Sequence, residues 1–395
     1  MDKVSVITEE SGLTKDCSCQ VESRLIDLRN SGNQVSYNME KKIKVLVVDD
    51  TAIMRNAVTQ ILQEDPMIQV LGSAKNGLDA LDKIKCLRPD VVTLDIDMPV
   101  MNGLSAIRHI MIESPVPIVI LSSLIRDGSV IFEALRLGVV DFVPKPSTAL
   151  SMDIDGSKQQ ITDRIKTAVA MTMENVHRVR LARKWNTTER VERLYKFYPL
   201  EYIIVIGTTL SGPNTVIRLL SKLSPTIPAT VIVHQEISPK VILSFAREFN
   251  EHVPWKVEVA EHGEVVEQGT CYISSNEYSL SIRLNEKGEA CLNSGAGTDH
   301  PLNLLFSSAA SIFRSNTIGI LLSGVGDDGA EGFAEIKRKS GTTMVKAVRC
   351  CVFPNLTDNA IQKGVVDIAL NDHKLPGTIE ALMMTNPNLY GKYNE

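Results

Sequence analysis

The chain has 395 residues, 44% of them hydrophobic and 23% charged, with a formal net charge of -5. This length and balance predict two or three globular domains, each long enough to bury a core. The acid excess gives no electrostatic ground for a nucleic-acid partner, and no apolar run reaches the ~18 residues that cross a bilayer.

Asp2, Glu9 and Glu10 interrupt any apolar leader, so a cytoplasmic protein without membrane insertion is expected. The 7 cysteines are odd in number and have neither zinc-site nor disulfide-framework spacing. They read as thiols in a reducing compartment.

Residues 1–40 are polar and weakly periodic and are expected to be a disordered extension. From 43 to 147, short β-branched runs alternate with amphipathic segments. Strands are predicted at Ile43–Val48, Gln69–Ala74, Val91–Asp95, Ile118–Ser122 and Asp141–Val143. Between the first two, Ile53, Val58, Ile61 and Leu62 share a helical face, and Thr51 is placed to cap that helix.

Such βα alternation predicts a doubly wound parallel sheet, with its site outside the carboxyl ends of the strands. Those ends carry Asp49, Asp50, Asp95, Ser122 and Lys145. Converging carboxylates repel unless a cation lies among them, and hard oxygen donors suit Mg²⁺. Asp50 and Asp95 are the expected metal ligands, with Asp49 in support. Asp95 is placed to attack phosphorus, while Ser122 and Lys145 are placed to hold phosphoryl oxygens. Lys145–Pro146 is a candidate cis bond.

The segments VLVVDDT, LDIDMPVMNG, VILSS and DFVPKP together resemble the two-component receiver domain, a flavodoxin-like α/β fold. The resemblance implies that a histidine kinase phosphorylates Asp95 with Mg²⁺. It also implies that Ser122 and Phe142 shift on phosphorylation, that Lys145 contacts the phosphoryl group, and that the Asp97 backbone completes the metal site.

Residues 148–198 read as a linker, with Ile161, Ile165 and Val169 at helical spacing. A basic run follows: His177, Arg178, Arg180, Arg183, Lys184, Arg190, Arg193 and Lys196. It reads as a solvated helix face or a strip docking on acidic receiver surface rather than a nucleic-acid patch. A second βα alternation spans 199–375, with 376–395 as a C-terminal tail. Strands are predicted at Ile203–Ile206, Thr230–Val233, Thr317–Leu322, Thr343–Val348 and Val365–Leu370. A β-rich interlude is predicted at about 256–296, and helices over Val241–Phe249 and about 301–313. Again the architecture is doubly wound α/β.

A hydroxyl on a sharp turn at a helix start can be a nucleophile, with a base and an orienting acid from neighbouring strand ends. The candidates are Thr209 or Ser211, His234 or Glu236, and Asp327 or Asp328. The stretches VIGTTLSGP, VIVHQEISP with SFAREFN, LLFSSAAS, GILLSGVGDDGAEG, and CCV with NAIQKGVV resemble the catalytic domain of the chemotaxis-receptor methylesterase and glutamine deamidase.

That resemblance implies phosphorylation-gated hydrolysis of glutamate methyl esters, and deamidation of glutamines, on chemoreceptors, with no cofactor in the hydrolase domain. The family's catalytic positions fall on Thr209, Glu236 and Asp328, where the family carries serine, histidine and aspartate. A further family aspartate falls on Asn303. Ser211 and His234 are the possible substitutes. A carboxylate with an ordinary pKa of about 4.3 is a poor base for a hydroxyl. The alternative expectation is therefore an impaired homologue acting as a phosphate sink or receptor-binding adaptor.

Overall fold

The computed structural model describes residues 42–122, 128–139, 141–146, 154–179, 200–210 and 212–384. The expected extension, the basic run from Arg180 onward, Ser211 and residues 385–395 lie outside the described residues.

The first sheet contains β1 (Ile43–Val48), β2 (Ile68–Ala74), β3 (Val91–Leu94), β4 (Ile118–Ser122) and β5 (Asp141–Pro144). All pairings are parallel, in the order β2-β1-β3-β4-β5. Val45, Leu46, Val47 and Val48 are all buried, as a strand covered on both faces requires. The covering helices are α1 (Ala52–Gln63), α2 (Gly77–Leu87), α3 (Gly103–Glu113), α4 (Gly128–Leu137) and α5 (Ile154–Val169).

Asn76 and Asn102 cap α2 and α3 by accepting from Asp79 N and Ser105 N. Thr51 occupies the cap position of α1 but does not cap it; its hydroxyl bonds Asp49 Oδ1 at 2.6 Å instead. No described peptide bond is cis, so the Lys145–Pro146 bond is trans.

Helix α5 lies inside the segment expected to be linker. Its Ile161 and Ile165 are fully buried against Val45, Val47, Val119 and Val143, so it completes the layer over the first sheet.

The second sheet has seven strands, all paired in parallel, in the order β14-β13-β12-β6-β7-β9-β8. Its strands are β6 (Tyr202–Thr208), β7 (Ala229–Gln235), β8 (Lys256–Val259), β9 (Thr270–Ser275), β12 (Thr317–Leu321), β13 (Thr342–Lys346) and β14 (Ile368–Leu370). A separate antiparallel hairpin joins β10 (Ser279–Leu284) to β11 (Ala290–Gly295). The helices are α6 (Gly212–Leu220), α7 (Pro239–His252), α8 (Pro301–Phe313), α9 (Ala330–Arg338), α10 (Asn355–Gln362) and α11 (Leu375–Met384).

Helix α11 falls where a tail was expected. Leu375, Ile379 and Met383 lie four apart, so one stripe of the helix is buried in the core beneath α6 and α7. Among the described residues no helix is long and apolar enough to cross a membrane.

The two domains share core. Ile131, Phe132 and Leu135 of α4 belong to one buried cluster with Val216 and Leu220 of α6 and Phe245 and Phe249 of α7. The Phe132 ring stacks on His252 at 4.9 Å and meets Phe245 and Phe249 at 5.8 and 6.1 Å. Gly128 permits this approach, because a Cβ there would come within 2.3 Å of the α7 backbone at Phe245. Asn214 Nδ2 donates to Leu135 O at 2.9 Å across the same contact.

A second shared cluster joins Ile161, Ile165 and Met171 to Leu210, Val352 and Phe353. Leu210 directly follows Thr209, so α5 and the chain after it rest on the carboxyl edge of the second sheet.

Candidate functional site

Two sites form at the two carboxyl edges. In the first domain, parallel registry places the ends of β1 and β3 side by side, with Val48 opposite Leu94. Asp49 and Asp95 follow directly and are both buried. Lys145, just beyond β5, reaches between them: its Nζ lies 2.7 Å from Asp49 Oδ2 and 2.7 Å from Asp95 Oδ2.

Asp49 Oδ1 accepts from Thr51 N and Thr51 Oγ1, which fixes its carboxylate. Asp95 Oδ1 accepts from Ile96 N at 2.8 Å, leaving Oδ2 to Lys145. Burial pushes the Asp95 carboxyl above its usual range, and Lys145 opposes that shift. Burial also works against the Lys145 ammonium, but its bonds to Asp49 and Asp95 raise its pKa overall.

Carboxylate oxygens of Asp49, Asp50 and Asp95 lie within 4.8 Å of one another. The donor set is all oxygen with Asp50 exposed, which fits Mg²⁺ holding several waters and excludes the nitrogen and sulfur preference of zinc. Asp97 is exposed. Ser122 is buried at the end of β4, and its carbonyl accepts from Lys145 N at 3.2 Å. Phe142 is half-buried and packs against both the core of this domain and the cluster shared with the second.

The second site has another geometry. The turn after β6 is tight: a Cβ on Gly212 would lie 1.8 Å from Thr208 Oγ1, so only glycine fits. Thr209 Oγ1 sits between the backbone groups of Val325, accepting from Val325 N at 2.6 Å and donating to Val325 O at 3.2 Å. Asp328 turns to the start of α8, where its oxygens accept from Leu302 N at 2.7 Å and Asn303 N at 3.0 Å, and from its neighbour Gly329 N at 2.7 Å. It is the acceptor α8 needs, since His300 at the cap position makes no side-chain cap bond. Burial raises the Asp328 carboxyl above its usual range despite those three N–H groups. Asp327 is exposed.

Glu236 does not approach Thr209 by any hydrogen bond among the described residues. It pairs instead with Arg164 of α5, which also holds Asp141 Oδ2 at 3.0 Å. His234 is fully buried in β7, with Nδ1 2.5 Å from Ser274 Oγ on β9, its registered neighbour. Its Nε2 has no hydrogen-bond partner, and burial drops its pKa to about 4, so the ring is neutral. The expected substitute base is thus a cross-strand partner inside the sheet.

Residues 45–152 match the response regulator receiver domain, and residues 204–379 match the CheB methylesterase family. The chain is 33% identical over 372 residues to the protein-glutamate methylesterase/protein-glutamine glutaminase of Caldanaerobacter subterraneus subsp. tengcongensis, covering 90% of this chain and 100% of that one. Against the protein of that name from Pyrococcus horikoshii, identity is 33% over 348 residues, with 86% of this chain and 94% of the other covered. This chain belongs to the protein-glutamate methylesterase/protein-glutamine glutaminase family.

As a methylesterase-family chain it pairs a receiver with a hydrolase domain, and both sheets have the expected doubly wound order. The three residues on which the family's catalytic positions were expected to fall are engaged separately: Thr209 by the Val325 backbone, Glu236 by Arg164, Asp328 by the α8 start. In this methylesterase-type domain Asp328 therefore carries structure whatever it does in chemistry. Asp328→Ala should cost about 2–3 kcal/mol of stability, read as a lower urea midpoint, whereas Asp328→Asn, which keeps one of the two acceptor oxygens and sets an NH2 against the other N–H, should recover only part of that. Equal losses would sink the capping account.

Arg164, which pairs with Glu236, is the neighbour that sequence reasoning missed. Nothing local marks it, because its two partners come from a different strand and a different domain.

Proposed function

We propose that the protein is a phosphorylation-gated methylesterase and glutamine deamidase acting on chemoreceptors, with its receiver seated on the hydrolase edge in the resting state. The observation that carries this reading is the buried cluster joining Ile161 and Ile165 of α5 to Leu210, the residue after Thr209. A receiver whose switch residues lead into that contact can govern access to the turn.

The acidic pocket fits Mg²⁺ through Asp50 and Asp95, with the Asp97 backbone and Asp49 in support. Bound there, the ion would offset charge on the transferred phosphoryl group. Asp95 is the acceptor: its Oδ2, paired with Lys145 in the resting pocket, attacks phosphorus, and the bond to the kinase histidine breaks as the new P–O bond forms. Lys145 then exchanges a carboxylate contact for a phosphoryl oxygen, and Ser122 takes another. Phe142 reaches both cores, so its displacement disturbs the shared one.

In the opened form the Thr209 hydroxyl is the nucleophile, Glu236 the base, and Asp328 keeps the start of α8 in place. A carboxylate base makes turnover several powers of ten slower than a histidine-bearing site.

A second reading, a receptor-binding adaptor or phosphate sink, is favoured by the separate engagement of all three positions. The test is methanol release from methylated chemoreceptor with and without acetyl phosphate and Mg²⁺. Gated hydrolysis predicts release that rises with the phosphodonor and disappears in Thr209→Ala. No release under either condition, with receptor binding intact, selects the adaptor.

A further inference from the structure

The contact between Asp141, Arg164 and Glu236 is unevenly charged. Two carboxylates, one from each domain, share a single guanidinium. Asp141 opens β5 and is followed by Phe142; Arg164 projects from the middle of α5; Glu236 directly follows β7. All three side chains are largely removed from solvent. The third charge is therefore uncompensated in a poorly hydrated place, where it weighs more than on an open surface.

We infer that Arg164 is a positioning residue: by bridging Asp141 and Glu236 it clamps the hydrolase base position to the receiver, and the second carboxylate sets how firmly that clamp holds. The inference rests on the reading of Glu236 as the base for its catalytic meaning, but the clamp itself is a property of the interface.

The groups that bear on Asp141 are Arg164 from α5 and Glu236 from the end of β7; Arg164 also feels its neighbour Asp163. Burial first, and then Glu236, push the Asp141 carboxyl up to about 7, against the pull of Arg164. Freed from Glu236, and with Arg164 of its own domain still beside it, Asp141 would fall back toward the ordinary carboxylate value of about 3.9. The docked form therefore binds the proton more tightly than the open form.

By linkage, docking is favoured at low pH and weakens as pH rises from about 4 to about 7, staying flat above. Physically, a protonated Asp141 leaves the whole guanidinium to Glu236, and an ionised one competes for it. A shift of β5 and α5 after phosphorylation would act on the same three groups.

The experiment uses the full chain and backbone hydrogen exchange over residues 128–137 and 239–252, expressed as protection factors at pH 6 and pH 8 without phosphodonor. Arg164→Gln should lower protection roughly tenfold, and Arg164→Lys should restore part of it. Asp141→Asn, which removes the competing charge and keeps the shape, should abolish the difference between the two pH values.

Unchanged protection in Arg164→Gln, or a pH difference that persists in Asp141→Asn, would overturn the inference. Methanol release measured on the same variants separates the two readings. An Arg164→Gln chain that opens yet releases none leaves the clamp standing and removes the hydrolytic role of Glu236.

Discussion

Asp95→Asn should take up no phosphoryl group from acetyl phosphate, while the fold and the docked interface remain. The amide keeps an oxygen for Ile96 N, and Lys145 keeps its partner Asp49 at 2.7 Å, so the pocket loses one charge without losing its shape. What disappears is the nucleophilic carboxylate oxygen that faces the pocket. No other described acid takes over readily. Asp49 is fixed by two bonds from Thr51, and Asp50 is exposed at the rim, with its carbonyl held by Arg55. Radiolabel from acetyl phosphate, or a mass shift by intact-protein spectrometry, reads the outcome directly. Undiminished labelling of the Asp95→Asn chain would place the phosphorylated residue elsewhere and remove the basis for gating.

Phe132→Ala should open the domain contact. Among the described residues, the ring contacts of Phe132 go to the hydrolase domain, to Phe245, Phe249 and His252 on α7. The side chain is almost fully buried. Truncating such a ring costs about 3–5 kcal/mol, and here the loss falls on docking rather than on folding of either domain. The open population should rise by roughly two to four powers of ten by that arithmetic. Protection of α7 backbone amides should fall accordingly with no phosphodonor present, and labelling at Asp95 should persist. Full protection in Phe132→Ala would mean that the aromatic cluster is not what holds the domains together.

Much of this was legible before any coordinates. Buried parallel strands read as unbroken β-branched runs, so the acids and the lysine that end them announce one pocket. Asp49, Asp95 and Lys145 do meet there. The misplacements have physical causes. Ile161 and Ile165 carry helical spacing, but one narrow stripe does not say which sheet it covers, and α5 was read as linker. The stripe of Leu375, Ile379 and Met383 is too short, at three residues, to mark a helix as part of the core.

Alternation along β7 puts His234 and Glu236 on one face, yet it says nothing of partners. His234 turned to Ser274 because parallel registry sets those residues side by side, and Glu236, beyond the strand, was free to meet Arg164. Interdomain pairs of this kind depend on how two finished folds pack, and no window of sequence contains that.

In the proposed mechanism, charge placed on Asp95 loosens the grip of α4 and α5 on the hydrolase domain. That loosening is tested most directly by hydrogen exchange over residues 239–252 in the intact chain, with and without acetyl phosphate and Mg²⁺. Faster exchange is expected in the phosphorylated chain and no change in Asp95→Asn. Exchange that stays slow while Asp95 is fully labelled would contradict it.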